Sequence, residues 1–148
     1  MNHDFFIKNE KVFLDIDYVY PENRPDTIML DDDFIWYIYD SLKWISFYNP
    51  SKQEFDKGLS LYGVTEIYGE SLIQFRGILT VYKTLFEYAP NEIVLTGQFE
   101  FEYNVGMESG SCTKLVYNKK DILEKLNNLI KMCSKALSKN KSILHYGL

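Results

Sequence analysis

Apolar and polar residues alternate strictly in two stretches of the chain, as they do along strands that bury one face. The first is KVFLDIDYVY at residues 11–20, and the second and longest is EIVLTGQFEFEY at residues 92–103. In the longer stretch, every second residue from Ile93 to Tyr103 is assigned to one face. The glycine-rich connection NVGMESGS then leads to CTKLVY, which predicts an antiparallel hairpin.

Three other stretches repeat their apolar residues every three or four positions, the spacing of one helical face. The first predicted helix runs from Asp33 to Phe47. The second follows SLIQ, which has the form of a capping box at Ser71 and Gln74, and ends before Pro90. The third begins after Asn118, a favourable N-cap, and has Cys133 on its apolar stripe, where core packing is the expected role.

The remaining segments complete an α+β fold. DFFI near the start and SILHYGL near the end read as short strands, and GLSLYGVTEIYG reads as a strand that breaks or a shaped loop. Because a hairpin interrupts the helices, an antiparallel or mixed sheet of about five to six strands with three helices fits better than a doubly wound sheet. No repeat or linker divides the chain, so residues 1–148 are predicted to form a single domain.

The composition and the sequence pattern indicate the cellular compartment in which the protein is expected. The 148 residues are 46% apolar and 25% charged, which is typical of a folded chain. No run approaches the ~20 apolar residues of a membrane span, and the N-terminus lacks the pattern of a signal peptide. Cys112 and Cys133 are expected to be reduced thiols. We therefore expect a cytoplasmic protein with no membrane partner. The 14-to-2 ratio of lysine to arginine is a composition associated with low-GC bacteria.

The charge distribution narrows the class of partner. Residues 1–70 hold 14 acids and 6 bases, whereas residues 71–148 hold 7 acids and 10 bases. An acidic half argues against nucleic acid, since phosphate binding needs a basic face, and it suits a basic protein. Twelve tyrosines favour recognition, because tyrosine is enriched at interfaces. A homodimer contact stays open as an alternative use of those tyrosines.

The most specific candidate for a chemical site is the triplet Asp31, Asp32 and Asp33 at the start of the first predicted helix. Consecutive helical positions point about 100° apart, so the three carboxylates cannot converge on one ion from a helix. They can cap free amides and interact favourably with the positive end of the helix dipole. The triplet is therefore interpreted as a helix start.

Two pairs of strand carboxylates are candidate partner-binding residues. Alternate residues of a strand share a face, which puts Asp15 beside Asp17 and Glu100 beside Glu102. If the two strands were neighbours, four carboxylates would lie together and suit a basic partner or a divalent cation. The alternative is an ordinary solvated face, and no metal or other cofactor is assigned.

The segment before the second helix is the other candidate for recognition. Tyr62, Glu66, Tyr68 and Glu70 lie among glycines in a segment that matches no nucleotide-binding motif, and the first three are assigned to partner binding. The alternative is that these tyrosines cover a sheet edge. Lys131, Lys135 and Lys139 form a ridge on the third helix, interpreted as a solvated face.

Nucleophilic catalysis finds little support in the sequence. Only His3 and His145 could serve as bases, and they are expected near the termini, the first on a mobile one. Ser109 lies in a glycine-rich connection that lacks the register of a nucleophile elbow. No catalytic residue is therefore assigned.

These patterns favour a non-enzymatic cytoplasmic protein-binding module. Its most concrete form is an immunity-type inhibitor, a small acidic protein that blocks a basic toxin such as a nuclease through complementary charge and buried aromatics. The alternatives are a metal-dependent enzyme that uses strand carboxylates and a small-molecule sensor with an apolar pocket between sheet and helices.

Overall fold

The computed structural model describes residues 2–8, 26–104 and 107–147, with the backbone alone at 102–104, 107 and 108. This part of the chain contains three helices and eight strands, which confirms the predicted α+β class. The helices are α1 (Asp32–Leu42), α2 (Gly69–Glu87) and α3 (Lys119–Ser138). The strands are β1 (Asn2–Ile7), β2 (Ile28–Asp31), β3 (Ser46–Asn49), β4 (Glu54–Lys57), β5 (Gly63–Ile67), β6 (Glu92–Asn104), β7 (Met107–Asn118) and β8 (Ile143–Gly147).

Six strands form one antiparallel sheet in the order β2-β1-β8-β5-β3-β4, in agreement with the predicted strand number. Strand β8 lies at the centre, where Phe5 of β1 and Thr65 of β5 flank His145 in register. Strands β1 and β5 are joined through β8, so this late segment of the chain holds the two halves of the sheet together. The predicted strand at residues 11–20 lies outside the described residues.

The three helices pack on one face of the sheet. Their predicted apolar stripes are buried against alternate strand residues, which include Phe5, Leu30, Phe47, Ile67 and Ile143. The opposite face carries a smaller buried cluster of Phe6, Val64, Leu144 and Tyr146. Every residue of β8 is buried, as expected of a strand with neighbours on both sides.

Both cysteines are free thiols, as predicted. Cys133 is fully buried in the core, which confirms the packing role expected from its place on the α3 stripe. Burial raises the pKa of the Cys133 thiol to about 12, so the uncharged thiol is the form present at neutral pH.

Two helix boundaries differ from the prediction. Helix α1 ends at Leu42 instead of Phe47, because Ser46–Asn49 extends as β3 and pairs with β4 and β5. The predicted capping box is wrong, since the N-cap of α2 is Tyr68 and its side chain makes no capping bond. The Ser71 hydroxyl instead donates to the Ser46 carbonyl, 2.5 Å away, and so links α2 to β3.

The predicted hairpin is confirmed as a two-stranded sheet of β6 and β7. Strand β7 begins at Met107, within the segment predicted to be the connection, and one prediction about the faces of the hairpin is also wrong. A β-bulge between Thr96 and Phe99 places an extra residue in β6 and reverses the alternation beyond it. Phe99 therefore pairs with Cys112 and lies on the same face as Val94, not on the face of Ile93. Phe99 also crosses the backbone of Gly110, where a Cβ atom would meet its ring at 2.3 Å.

Strands β2 and β4 were not predicted, because four-residue strands are too short to show a clear alternation. The confirmed features include a helix start within the aspartate triplet, the end of α2 before Pro90 and the Asn118 cap, whose side chain accepts from the amides of Lys120 and Asp121. Among the helices described, none combines the length and apolar character required to cross a bilayer.

Candidate functional site

Two adjoining depressions separate the base of the β6–β7 hairpin from α1 and the end of α2. We call them together the hairpin cleft. The first, about 230 Å³, is lined by Asp33, Trp36, Tyr37 and Leu115 among others. The second, about 460 Å³, is lined by Tyr37, Leu85, Tyr88, Glu92 and Val94 among others. Because Tyr37 lines both depressions, the hairpin cleft is one continuous surface feature.

Hydrogen bonds fix the walls of the hairpin cleft. The Tyr117 hydroxyl of β7 donates to Asp31 Oδ1 at 2.6 Å, which pins the hairpin base to the start of α1. Burial is the main cause that raises the pKa of Tyr117, and the hydrogen bond to the Asp31 carboxylate is the second. The phenol therefore stays protonated and acts as a donor. At the other wall, Lys119 Nζ donates to the carbonyls of Glu87 and Ala89 and holds the end of α2 against the hairpin.

The hairpin cleft combines exposed rings with negative charge. Trp36, Tyr37 and Tyr88 are exposed side chains along it. Its charged lining residues are Asp33 and Glu92, and Lys119 beside it, which is bound to the carbonyls of Glu87 and Ala89, is not among the described residues that line it. Rings that combine an apolar body with a polar edge are common anchors at protein interfaces. The surface therefore suits an apolar partner that also carries positive charge.

A third depression is lined in part by Tyr82, whose ring meets that of Tyr37 edge to face at 6.5 Å. We call it the α2 groove. It has a volume of about 460 Å³ and is lined mainly by Trp44, Ile45, Gly77, Ile78, Val81 and Tyr82. It is an open groove between helices, so it differs in place from the pocket between sheet and helices that the sensor hypothesis requires.

His3 and His145 form a hydrogen-bonded pair in the core. His3 Nδ1 lies 2.8 Å from His145 Nε2, the two rings stack at 5.1 Å, and His3 Nε2 lies 2.9 Å from Asp32 Oδ1. Because a carboxylate only accepts, His3 donates to Asp32 through Nε2, and one hydrogen is shared between His3 Nδ1 and His145 Nε2. Burial, with a contribution from His3, holds the pKa of His145 well below its usual range.

The burial of this pair argues against base catalysis. Both rings have no exposed surface, and neither lines the clefts described above. The expectation that His3 lies on a mobile terminus is wrong, because β1 pairs with both β2 and β8. A base that no substrate can reach cannot transfer a proton to it, so we assign the pair to the core.

The predicted partner-binding residues of the segment before α2 lie along and beside β5, where Glu66 is opposite Tyr48 in register. Tyr62 is exposed, and Tyr68 packs beside Tyr48 and Phe55 at the far end of the sheet. The Glu66 carboxylate accepts from Lys8 Nζ at 2.9 Å and from the Ser142 hydroxyl at 2.6 Å, so it is engaged within the protein.

The strand carboxylates are only partly described. Glu100 is exposed on the outer part of the hairpin. Asp15 and Asp17 lie outside the described residues, and of Glu102 only the backbone is described, opposite Ser109. Among the described side chains, no group of three or more His, Cys, Asp or Glu residues is arranged to hold a metal ion.

The aspartate triplet begins a helix, as predicted, but its three members have different roles. Asp31 is the N-cap of α1 and accepts from the amide of Phe34 at 2.9 Å. Asp32 accepts from His3, and Asp33 is exposed at the hairpin cleft. The triplet thus links the first turn of α1 to the hairpin, to β1 and to the candidate site.

The cleft aromatics were not singled out from the sequence. Trp36 and Tyr37 fall off the buried stripe of α1, so large rings in solvent-facing positions were the available signal. The residues of the hairpin that face them could not be paired with α1 by spacing alone. Comparisons with protein families, with curated proteins and with solved structures found no match.

Proposed function

We propose that this chain is a non-enzymatic protein-binding module whose hairpin cleft receives a basic partner. The observation that carries the proposal is the composition of the cleft lining, which combines Trp36, Tyr37 and Tyr88 with Asp33 and Glu92 and has no basic side chain among its described residues. The net charge of −5 acts in the same direction over longer range.

The exposed rings and the carboxylates of the hairpin cleft contribute to binding in different ways. Tyrosine and tryptophan rings carried on α1 and at the C-cap of α2 have few rotatable bonds to order on binding, and they bury a large area. Carboxylates at the cleft accelerate encounter with a positively charged surface and exclude partners of like charge. We therefore expect an association rate constant that falls as the salt concentration rises. The dissociation rate constant should depend mainly on the contacts that the rings make.

The narrower form of the proposal is an immunity-type inhibitor that acts in the cytoplasm on a basic toxin such as a nuclease. Small acidic proteins can block such targets by covering a positively charged active site. The metal-dependent and sensor alternatives stay predictions within this proposal. So does the partner-binding role of Asp15, Asp17, Tyr62, Glu66, Tyr68, Glu100 and Glu102.

The test is affinity capture with matched baits at low and high salt, followed by binding measurements with the purified partner. Glu92→Lys reverses a charge in the cleft, and Tyr37→Ala removes the ring shared by both depressions. Glu124→Lys is the control, because it makes the same charge change at an exposed position of α3. Circular dichroism checks that each bait is folded.

The proposal expects a basic protein that wild type and Glu124→Lys retain and that salt releases. Glu92→Lys and Tyr37→Ala should each weaken its binding by about tenfold or more, which corresponds to ~1.4 kcal/mol. A partner that binds all four baits equally would place the interface elsewhere. Empty baits at both salt concentrations would contradict the binding module itself.

A further inference from the structure

The outward side of α2 is apolar along most of its length. Ile73, Gly77, Val81 and Leu85 recur every four residues and so form one ridge of the helix surface. The exposed fractions of the three side chains are 46% for Ile73, 67% for Val81 and 54% for Leu85. Beside the ridge, Trp44 is 75% exposed at the edge of the α2 groove.

We propose that two copies of this chain pair through this ridge and the α2 groove to form a homodimer. The ridge and the groove lie side by side, since Gly77 and Val81 belong to both. Helices pack when the ridge of one enters the groove of the other. A surface that carries both features can satisfy both at once with its own two-fold copy, which is the requirement for a symmetric dimer.

Gly77 lies where the two helices would cross. A Cβ atom built on Gly77 would meet nothing within 4 Å, so this position opens to solvent and the neighbouring helix can approach the backbone closely. The larger side chains of Ile73 and Val81 stand one turn away on either side. A dip between two projections gives the surface the shape that a second helix needs at a crossing.

The charges on α2 favour a second copy over the basic partner of the hairpin cleft. The exposed polar residues of the central turns, Gln74, Thr80 and Thr84, are uncharged. Lys83 is paired with Glu87 at 3.0 Å, and Arg76 turns towards Ser134 of α3. Two chains of net charge −5 can meet here without like charges in contact, whereas a basic partner would find no carboxylate on the central turns.

The available area is sufficient for a stable contact. From their exposed fractions, Trp44, Ile73, Val81 and Leu85 present on the order of 450 Å² of mostly apolar surface. Gln74 and Gly77, which line the groove beside them, add to this area, which is close to the roughly 500 Å² per partner that a specific interface requires. The α2 face is thus of the size that a small homodimer contact needs.

The dimer is tested by sedimentation over a range of concentrations on wild type and three variants. Val81→Glu puts a charge in the ridge, and Gly77→Leu fills the crossing point. Val116→Glu is the matched control, because Val116 is 58% exposed on β7 and belongs neither to the ridge nor to the lining of the α2 groove. Circular dichroism and melting curves confirm that every variant is folded.

Wild type and Val116→Glu should reach twice the 17.5 kDa mass of one chain. Val81→Glu and Gly77→Leu should weaken association by about 100-fold and sediment as monomers. A wild type that stays monomeric at ~1 mM would overturn the proposal, as would a dimer that persists in Val81→Glu. Binding of the basic partner to Val81→Glu tests the hairpin cleft separately, since Val81 does not line it.

Discussion

At the scale of single residues, the aspartate triplet shows how neighbours in sequence acquire different partners. The Asp31 carboxylate accepts hydrogen bonds from the amide of Phe34 and the hydroxyl of Tyr117, whereas Asp33 is exposed to solvent. The local pattern was sufficient to predict a helix start. It could not distinguish the three carboxylates, because Tyr117 lies 86 residues beyond Asp31 in the chain.

We predict that Asp31→Ala destabilises the fold by about 2 kcal/mol, because it removes an N-cap and leaves a half-buried hydroxyl without its acceptor. Asp33→Ala should cost less than about 1 kcal/mol, since only its interaction with the helix dipole is lost. Urea unfolding measured by circular dichroism gives both values.

Tyr117→Phe provides the control for the hydroxyl. It should cost about 1 kcal/mol alone and little more in the Asp31→Ala background, because both changes break the same hydrogen bond. Equal losses for Asp31→Ala and Asp33→Ala would show that charge at the helix start, and not the specific acceptor, stabilises α1.

At the scale of elements, the hairpin shows what alternation can and cannot predict. The period-two pattern correctly placed both β6 and β7, yet it assigned Phe99 to the face of Ile93. One extra residue at the bulge changes the face of every later side chain, and a bulge leaves no periodic signal of its own. Gly97, a glycine inside a strand pattern, was the available indication.

We predict that the outer hairpin, residues 98–101 and 109–112, is the least protected part of the described sheets. Every side chain in these two ranges is exposed, and an isolated two-stranded hairpin is only marginally stable in water. Its amides should exchange with deuterium at least ~100-fold faster than those of β8, which is buried throughout.

Hydrogen exchange followed by mass spectrometry of short peptides provides the comparison. The hairpin base serves as an internal reference, because Ile93 and Leu95 pack against the core and should exchange at an intermediate rate. Equal protection of the outer hairpin and β8 would mean that the outer hairpin is held by contacts beyond its own two strands.

The helices illustrate a second limit of periodicity at this scale. The apolar stripes of α1, α2 and α3 were predicted from spacing, and the core contains them. The proposed binding surfaces consist instead of apolar residues off those stripes, such as Trp44 and Val81. Spacing identifies which face enters the core, but a second apolar face becomes visible only when its exposure is known.

At the scale of the whole molecule, the order of the strands could not be predicted from the sequence pattern. The segment SILHYGL was predicted to be a strand, but nothing local indicated that it would lie at the centre of the sheet. Central position follows from pairing with β1 and β5, which begin about 140 and 80 residues earlier. The same pairing brings His145 against His3, so the buried histidine pair is a consequence of topology.

This histidine pair predicts that stability depends on pH. Burial lowers the pKa of His145 in the folded state, whereas an unfolded histidine titrates near ~6.5. Between these two values the unfolded chain binds the proton that folded His145 does not, so acid favours unfolding. The free energy of unfolding should therefore be level above pH ~7 and fall below pH ~6.5 by up to ~1.4 kcal/mol per pH unit.

Urea unfolding at pH 7.5, 6.5 and 5.5 measures this slope above the range in which most carboxylates titrate. His145→Gln is the informative variant, because an amide can still form a hydrogen bond with His3 Nδ1 but does not titrate in this pH range. The variant should lose most of the slope even where its stability at pH 7.5 is lower. A wild type equally stable at pH 5.5 and 7.5 would mean that His145 takes up its proton inside the fold, and the central strand would then have to accommodate a buried charge.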